Sequence, residues 1–154
     1  MTDPRPDWNL FFLNGARWVA SRGDCTRRQV GAMIIDPDTH DVIEPGYNGP
    51  PAGEPGCLSA GACPRGRHFH RSPAFCACGG LWPCKDAVEP GSSYDTGPGR
   101  CIAIHAEANA LLRAGRRSRG AWMYLTEKPC DGCMKLIKGA GIVRVIWPEG
   151  NLEL

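Results

Sequence analysis

Long hydrophobic runs and a strong excess of charge are both missing from this sequence. No apolar stretch reaches the length of about 18 residues that a membrane-spanning helix requires. Residues 1–7 are polar and include two prolines, so a signal peptide is not expected. The formal net charge is only +2, which does not predict a dedicated nucleic-acid binder. We therefore expect a cytoplasmic protein that is not bound to a membrane.

The cysteine content is high for such a protein. The chain has 154 residues, which predicts one domain, and a chain of this length can fold without the help of disulfides. It nevertheless contains nine cysteines, an odd number that cannot all pair within one molecule. Because disulfides do not persist in a reducing cytoplasm, metal binding is the better explanation. We expect a single domain over residues 1–154 in which metal ions hold part of the chain.

The spacing of apolar residues predicts alternating helices and strands. Helical spacing indicates three helices, and short β-branched or apolar runs indicate four strands, the first two forming a hairpin. This alternation is typical of an α/β layered domain. The expected helices cover residues 8–21, 105–113 and 131–140, and the expected strands cover residues 29–35, 41–44, 122–126 and 142–147.

The segment from about residue 50 to residue 99 has a different composition. Glycine and proline recur in it, apolar periodicity is missing, and it contains five cysteines and two histidines. Fifty residues of bare loop are rare inside a compact domain. Since this insert cannot build an apolar core, bound metal is the available means of holding it.

Two short motifs carry the chemistry. His105-Ala106-Glu107 and Pro129-Cys130-Asp131-Gly132-Cys133 supply one imidazole, two thiols and a carboxylate. One His and two Cys are enough to hold a catalytic zinc ion and to leave a fourth position for water. Glu107 lies where a helix begins and is not needed as a ligand, so it is available as a proton shuttle. This order of residues is the signature of the zinc nucleobase deaminases.

Two other interpretations of the motifs are open. In a structural zinc knuckle, His105, Cys130, Cys133 and one further cysteine would close the tetrahedron, but Glu107 would then have no role. A Cys-x-x-Cys pair alone also fits a thioredoxin-like redox centre or a disulfide. The proline before Cys130 and the helical pattern after it favour metal thiolates at a helix N-terminus.

Six blocks of sequence resemble the deoxycytidylate (dCMP) deaminases of the cytidine deaminase superfamily. The resemblance spans about residues 17–147 outside the insert, and it implies a three-layer α/β/α sandwich with a mixed central sheet and a Cys-rich zinc-binding insertion. It also implies hydrolytic deamination of dCMP to dUMP. The blocks are residues 28–32 (RQVGA), 46–53 (GYNGPPAG), 105–110 (HAEANA), 124–126 (YLT), 129–133 (PCDGC) and 140–142 (AGI).

The resemblance also assigns roles to individual residues. His105, Cys130 and Cys133 would hold the catalytic zinc, and Glu107 would move protons. Asn48 and Ala106 would contact the substrate, with Asn48 at the sugar. The alternative for Asn48 is a purely conformational role, because asparagine is common in left-handed turns such as one between Gly46 and Gly49.

The cysteines outside the catalytic motif divide into two further groups. Some relatives bind a second, structural zinc from the segments that match Cys25 and Cys57, so these two with Cys63 and Cys101 are the expected second site. A third site would be built in the insert by ligand count. The alternative is that several are buried or free thiols. The candidates for the third site are His70 (or His68), Cys76, Cys78 and Cys84.

The end of the chain differs from the family. Relatives often continue after the strand matching residues 142–147, whereas only residues 148–154 follow here. We therefore expect one sheet element to be missing and the sheet edge to be covered by another subunit. The resemblance implies a homo-oligomer.

Two other functions compete with dCMP deamination. One is deamination of dCTP or of a modified cytosine nucleotide, because the loops that count phosphates are not identified by the sequence. The other is a single-stranded nucleic-acid deaminase that uses the insert as a recognition module. Arginine and aromatic residues of the insert favour this second alternative, and its acidic residues oppose it. The arginine cluster at Arg113, Arg116, Arg117 and Arg119 is more typical of a solvated helix end than of a phosphate site.

Overall fold

The computed structural model describes residues 3–60, 63, 65, 70–72, 75–76 and 101–154, with the backbone alone described for 70–72 and 75–76. The chain divides into two compact units. The layered unit comprises Met1–Gly23, Gln29–Asn48 and His105–Leu154. The cysteine-rich unit comprises Asp24–Arg28 and Gly49–Ile104. The second segment of this unit includes the whole of the expected insert, while the single-domain assignment stays a prediction.

A five-stranded mixed sheet organises the layered unit, with the strand order β2-β1-β5-β6-β7. β1 is antiparallel to both β2 and β5, β5 is parallel to β6, and β6 is antiparallel to β7. The helices are α1 (Trp8–Ala20), α3 (Ala106–Ala114) and α4 (Asp131–Gly139), with a 3-10 turn at Gly115–Ser118; the strands are β1 (Gly31–Ile35), β2 (Val42–Tyr47), β5 (Trp122–Leu125), β6 (Arg144–Trp147) and β7 (Gly150–Glu153).

Apolar residues cover both faces of this sheet. On one face, Phe12 and Ala16 of α1 pack with Met33 of β1 and Tyr124 of β5. On the other face, helices α3 and α4 contribute a separate cluster that includes Ala110 and is almost completely buried. The strand interior is therefore covered by helices on both sides, and the predicted three-layer α/β/α sandwich is confirmed.

Two glycines let helices approach the sheet closely. A Cβ atom at Gly31 would lie 2.0 Å from the carbonyl oxygen of Ala16 in α1. At Gly46 in β2, a Cβ atom would lie 2.3 Å from the carbonyl oxygen of Ala106 and 2.6 Å from the amide nitrogen of Ala110, both in α3. Because these neighbours are backbone atoms, no side-chain rotation relieves the clash.

The cysteine-rich unit contains little regular structure in its described residues. It has a short helix α2 (Cys57–Ala60) and a two-stranded antiparallel hairpin of β3 (His70–Ser72) and β4 (Phe75–Cys76). The Asp24 carboxylate accepts hydrogen bonds from the Ser59 amide (2.8 Å) and the Ser59 hydroxyl (2.7 Å). These bonds fasten the segment before Cys25 to α2.

The C-terminal residues correct one expectation. Residues 148–154 were expected to leave the sheet without its last element, but β7 turns back after Pro148-Glu149 and pairs with β6 from Trp147↔Gly150 to Arg144↔Glu153. The expectation was wrong because a two-residue turn is enough to reverse an antiparallel strand. A search of the described residues finds no helix long and apolar enough to cross a membrane.

Candidate active site

The first half of the site lies at the N-terminus of α3. His105 is the N-cap residue of this helix, with extended backbone angles (φ −65°, ψ 153°). Glu107 is the acidic residue of the first turn and is only 5% exposed. His105 therefore precedes the first helical residue, while Glu107 is held within the first turn. Ligand and carboxylate are thus placed two residues apart on one rigid element.

The second half of the site lies at the N-terminus of α4. Cys130 is the N-cap residue, and its sulfur accepts a hydrogen bond from the Cys133 amide at 3.4 Å. Cys130 is exposed and Cys133 is buried.

The two helix ends bring three potential metal ligands together. The His105 Nδ1 atom lies 3.7 Å from the Cys130 sulfur and 3.3 Å from the Cys133 sulfur. All three ligand atoms lie within 4.8 Å of one another, and they are the one such group found among the described residues. An imidazole nitrogen with two thiolates is a donor set that suits zinc, and three protein ligands leave a coordination position open.

The carboxylate of Glu107 faces the same group. Burial is the largest cause that raises the pKa of the Cys133 thiol, and the neighbouring Glu107 carboxylate and Cys130 sulfur raise it further. Two like charges beside a buried thiol oppose its ionisation. A divalent cation at this point would offset that repulsion, so the arrangement of charges fits a bound metal.

The two predicted substrate contacts have different surroundings. Asn48 is 8% exposed, and its Oδ1 atom accepts a hydrogen bond from the Val30 amide at 2.8 Å. Ala106 begins α3 and is fully buried, with its carbonyl oxygen facing Gly46. The Ala106 side chain is therefore enclosed by protein, whereas the side-chain oxygen of Asn48 is hydrogen bonded to the backbone of Val30.

The four thiols of the expected structural site all belong to the cysteine-rich unit. Cys57 and Cys63 are buried, and their side chains hydrogen bond to each other. This contact, burial and the nearby sulfurs of Cys25 and Cys101 raise the pKa of Cys57. The Cys25 sulfur accepts hydrogen bonds from two backbone amides, those of residues 27 and 28, both at 3.4 Å.

The expected third group lies largely outside the described residues. Cys78, Cys84 and His68 are not described, and only the backbone is described at His70 and Cys76. In the β3–β4 hairpin, His70 and Cys76 are register partners.

Two residues that the sequence analysis did not assign to the metal or substrate sites make contacts there. Asn109 of α3 donates a hydrogen bond from Nδ2 to the carbonyl oxygen of Tyr47 at 2.8 Å. Burial raises the pKa of the Cys101 thiol, and the positive charge of Arg65, which is only 2% exposed, partly opposes this shift. A polar residue on the helix after the motif was the signal for Asn109, whereas nothing in the sequence indicated burial of Arg65.

Comparison with known proteins identifies the family. Residues 6–149 match the family described as the cytidine and deoxycytidylate deaminase zinc-binding region. The deoxycytidylate deaminase of Mycobacterium phage D29 is 40% identical over 146 residues, which cover 94% of this chain and 97% of that protein. The deoxycytidylate deaminase of Schizosaccharomyces pombe is 34% identical over 145 residues, 93% of this chain, but the match spans only 37% of that longer protein.

Solved structures agree with the sequence comparison at the level of the fold. The dCMP deaminase of cyanophage S-TIM5, crystallised with dCMP and dUMP, has a TM-score of 0.58 and 22% sequence identity. The match covers 94% of this chain and 83% of that one. With the family match over nearly the whole chain and the ligand set at the two helix N-termini, the chain belongs to the zinc-binding cytidine and deoxycytidylate deaminase family.

Proposed function

We propose that the chain hydrolyses the amino group of a cytosine deoxynucleotide, with dCMP as the principal substrate. Water and dCMP would give dUMP and ammonia. The observation that carries this proposal is the convergence of His105, Cys130 and Cys133 beside the buried carboxylate of Glu107. The 40% identity to the phage D29 deoxycytidylate deaminase, over nearly the full length of both chains, supports the substrate.

A zinc ion would be held by His105 through Nδ1 and by the sulfur atoms of Cys130 and Cys133. Zinc held in this way supplies Lewis acidity and lowers the pKa of a coordinated water to about 7. The remaining work is done by side chains of this chain, which must move protons and orient the cytosine ring.

Glu107 is the residue that we assign to proton transfer. Its carboxylate is nearly fully buried and faces the ligand group, so it can move one proton of the attacking water to the ring nitrogen and then the second to the departing amino group, which leaves as ammonia. A positioned carboxylate of this kind accelerates such transfers by about 10²–10⁴-fold. Its exclusion from bulk water strengthens its interaction with the charges that develop nearby.

Asn48 is the residue that we assign to the sugar. Because the Val30 amide is a donor, the Asn48 atom beside it must be Oδ1, and the side-chain NH₂ group is directed elsewhere. We assign this NH₂ group as a donor to the substrate. A sugar hydroxyl oxygen is a suitable acceptor for this group.

A second zinc is part of the proposal, with Cys25, Cys57, Cys63 and Cys101 as its ligands. Three observations support it: the Cys57–Cys63 contact, the amide bonds to the Cys25 sulfur, and a further backbone bond from Ala103 to Cys101. Backbone amides aimed at sulfur stabilise thiolates. The buried cation of Arg65 offsets part of the negative charge of a tetrathiolate site.

The insert and the assembly complete the proposal. His70 and Cys76 are register partners in the β3–β4 hairpin, which supports a third zinc with Cys78 and Cys84. A homo-oligomer is supported by large apolar side chains on the surface of the layered unit, such as Trp18 and Leu112. Reduced thiols as metal ligands suit a cytoplasmic location. The burial of Arg65 removes one of the side chains that a nucleic-acid interface in the insert would use.

The test is a substrate panel with zinc-loaded protein. Ammonia release is measured with dCMP, CMP, dCTP, deoxycytidine and a cytosine-containing single strand, with Glu107→Gln as the control that keeps the shape of the side chain. We expect turnover with dCMP, and a loss on the order of 10³-fold in the control at unchanged zinc content. Turnover of the single strand alone, or normal turnover by Glu107→Gln, would contradict the proposal. Metal analysis of protein purified without chelator counts the zinc ions, and one zinc per chain would exclude the structural sites.

A further inference from the structure

The end of β2 and the start of α3 are fitted together closely. Gly46 lies against the Ala106 carbonyl and the Ala110 amide, with no room for a side chain. The next two residues of the chain are Tyr47 and Asn48. Asn48, the candidate sugar contact, therefore follows a strand end that packs closely against α3, the helix that carries Glu107.

Asn109 makes hydrogen bonds to both segments, the start of α3 and the end of β2. Its backbone amide donates to the His105 carbonyl at 2.9 Å, which closes the first turn of α3. Its side-chain Nδ2 donates to the Tyr47 carbonyl at 2.8 Å. Asn109 is half-buried, so the second bond is shielded from competition with bulk water.

The Asn48 side chain is fixed from the opposite direction. Val30 and Asn48 exchange two hydrogen bonds, from the Asn48 amide to the Val30 carbonyl at 3.2 Å and from the Val30 amide to Asn48 Oδ1 at 2.8 Å. Val30 orients the amide, but it does not connect it to α3. Among the hydrogen bonds described above, the bond from Asn109 is the one that sets the position of the Tyr47–Asn48 peptide relative to His105 and Glu107.

We infer that Asn109 is a positioning residue that sets the distance between the sugar contact and the reacting ring. This inference rests on the proposed function, because it assigns Asn48 to the substrate. Asn109 does not touch the substrate and acts through the Tyr47 carbonyl. The loss of its donor would let the strand end move away from α3, and a displacement of about 1 Å at a positioning group can cost about 10²-fold in rate.

The test is a double-mutant cycle with Asn109→Ala, Asn48→Ala and the double variant. Asn109→Asp has nearly the same shape but no donor, and it serves as a second variant at the same position. Asn14→Ala is the matched control, because Asn14 is an asparagine within helix α1 whose side-chain oxygen accepts a hydrogen bond from Arg17 at 2.6 Å. KM and kcat for dCMP, zinc content and thermal stability are measured for each variant.

We expect Asn109→Ala and Asn109→Asp to raise KM for dCMP about tenfold, with a smaller fall in kcat, at unchanged zinc content. The contact at Asn48 is made in the ground state and in the transition state, so its loss weakens binding in both. Because Asn109 acts through Asn48, the double variant should be no worse than Asn48→Ala alone. Alanine favours the helix interior over asparagine, so helix destabilisation cannot produce this result. Asn14→Ala should leave KM unchanged.

Three results would overturn the inference while the wild type deaminates dCMP. They are effects of the two substitutions that multiply in the double variant, an unchanged KM in Asn109→Ala, and loss of zinc in that variant. A wild type without activity toward any cytosine nucleotide would instead overturn the proposed function, and this inference with it.

Discussion

The two units of this chain hold their thiols by different means. In the layered unit, the ligands are the cap residues and first turns of helices that are packed on an apolar sheet. In the described part of the cysteine-rich unit, the buried side chains are two cysteines and an arginine, and the supporting contacts are polar. An apolar sheet can hold a ligand set in place before the metal binds, whereas thiols on turns depend on the metal for their own order.

Removal of the metal should produce the largest difference in hydrogen-exchange protection between the two units. With a strong zinc chelator, we expect hydrogen-exchange protection to be lost at residues 24–28 and 49–60, while the amides of β1 and β5 stay protected. Structural zinc contributes about 10–16 kcal/mol in small zinc domains, far more than the polar contacts of this unit. Equal loss of protection in both units, or no loss in either, would contradict the comparison. Re-addition of zinc is the control for reversibility.

Substitution of one glycine in each unit should have unequal effects. Gly46→Ala drives a Cβ atom into backbone atoms of α3 and should lower the free energy of unfolding by about 3 kcal/mol. Gly56→Ala instead meets the side-chain carboxylate of Asp24, which can rotate away by giving up its bonds to Ser59, at a cost of about 2 kcal/mol. Chemical denaturation measures both. Gly139→Ala in α4, with open space around it, is the control and should not destabilise.

Loss of the Asp24 carboxylate should weaken metal binding in the cysteine-rich unit only. Asp24→Ala removes the two bonds to Ser59 and should cost about 2 kcal/mol and lower the zinc content by one ion per chain. Asp36→Ala is the matched control in the layered unit, where the carboxylate accepts from the amides of Asp38 (2.9 Å) and Thr39 (3.1 Å). We expect the control to keep its full zinc content. An equal loss of zinc in both variants would show that the effect is not local.

The same carboxylate predicts a pH dependence. Burial alone would raise the pKa of Asp24, but the hydrogen bonds from Ser59, Leu58 and Gly56 outweigh it and lower the pKa below its ordinary value. The stabilisation is therefore present above the unfolded-state pKa of about 3.9 and is lost as the pH falls through the lower folded-state value. Asp24→Asn should remove this part of the acid sensitivity. The free energy of unfolding of both proteins, measured from about pH 2 to about pH 6, checks this prediction.

The smallest effect is expected at the arginine cluster. Arg117 donates to the Glu44 carboxylate and to the Ile43 carbonyl, both at 3.0 Å, and its side chain is 59% exposed. Arg117→Ala should therefore cost about 0.5 kcal/mol, less at high salt, with unchanged kinetics. A large fall in kcat/KM for dCMP would reveal a phosphate contact that the sequence analysis considered less typical of such a cluster. Arg22→Ala, two residues after the end of α1, is the control for removal of an exposed cation.

Much of the layered unit was predictable because its signals are local. The apolar spacing placed α1, α3 and α4 within one or two residues of their observed bounds, since a helix that covers a sheet must repeat its apolar face every turn. β7 was missed because Gly150–Glu153 has no apolar alternation and is a strand only through its pairing with β6. The short helix α2 and the β3–β4 hairpin were missed for the same reason, because polar and cysteine-rich segments carry no periodicity.

The sequence by itself determined the donor set of the catalytic site and the family. His105, Glu107, Cys130 and Cys133 are recognisable because zinc chemistry requires those residue types at that spacing. Only the tertiary structure decided that His105 faces the thiols through Nδ1, that Asn48 Oδ1 is committed to Val30, and that Asn109 joins α3 to the strand end before Asn48. Residue type fixes which atoms can bind a metal or a proton, but the packing of α3 against β2 fixes where those atoms point.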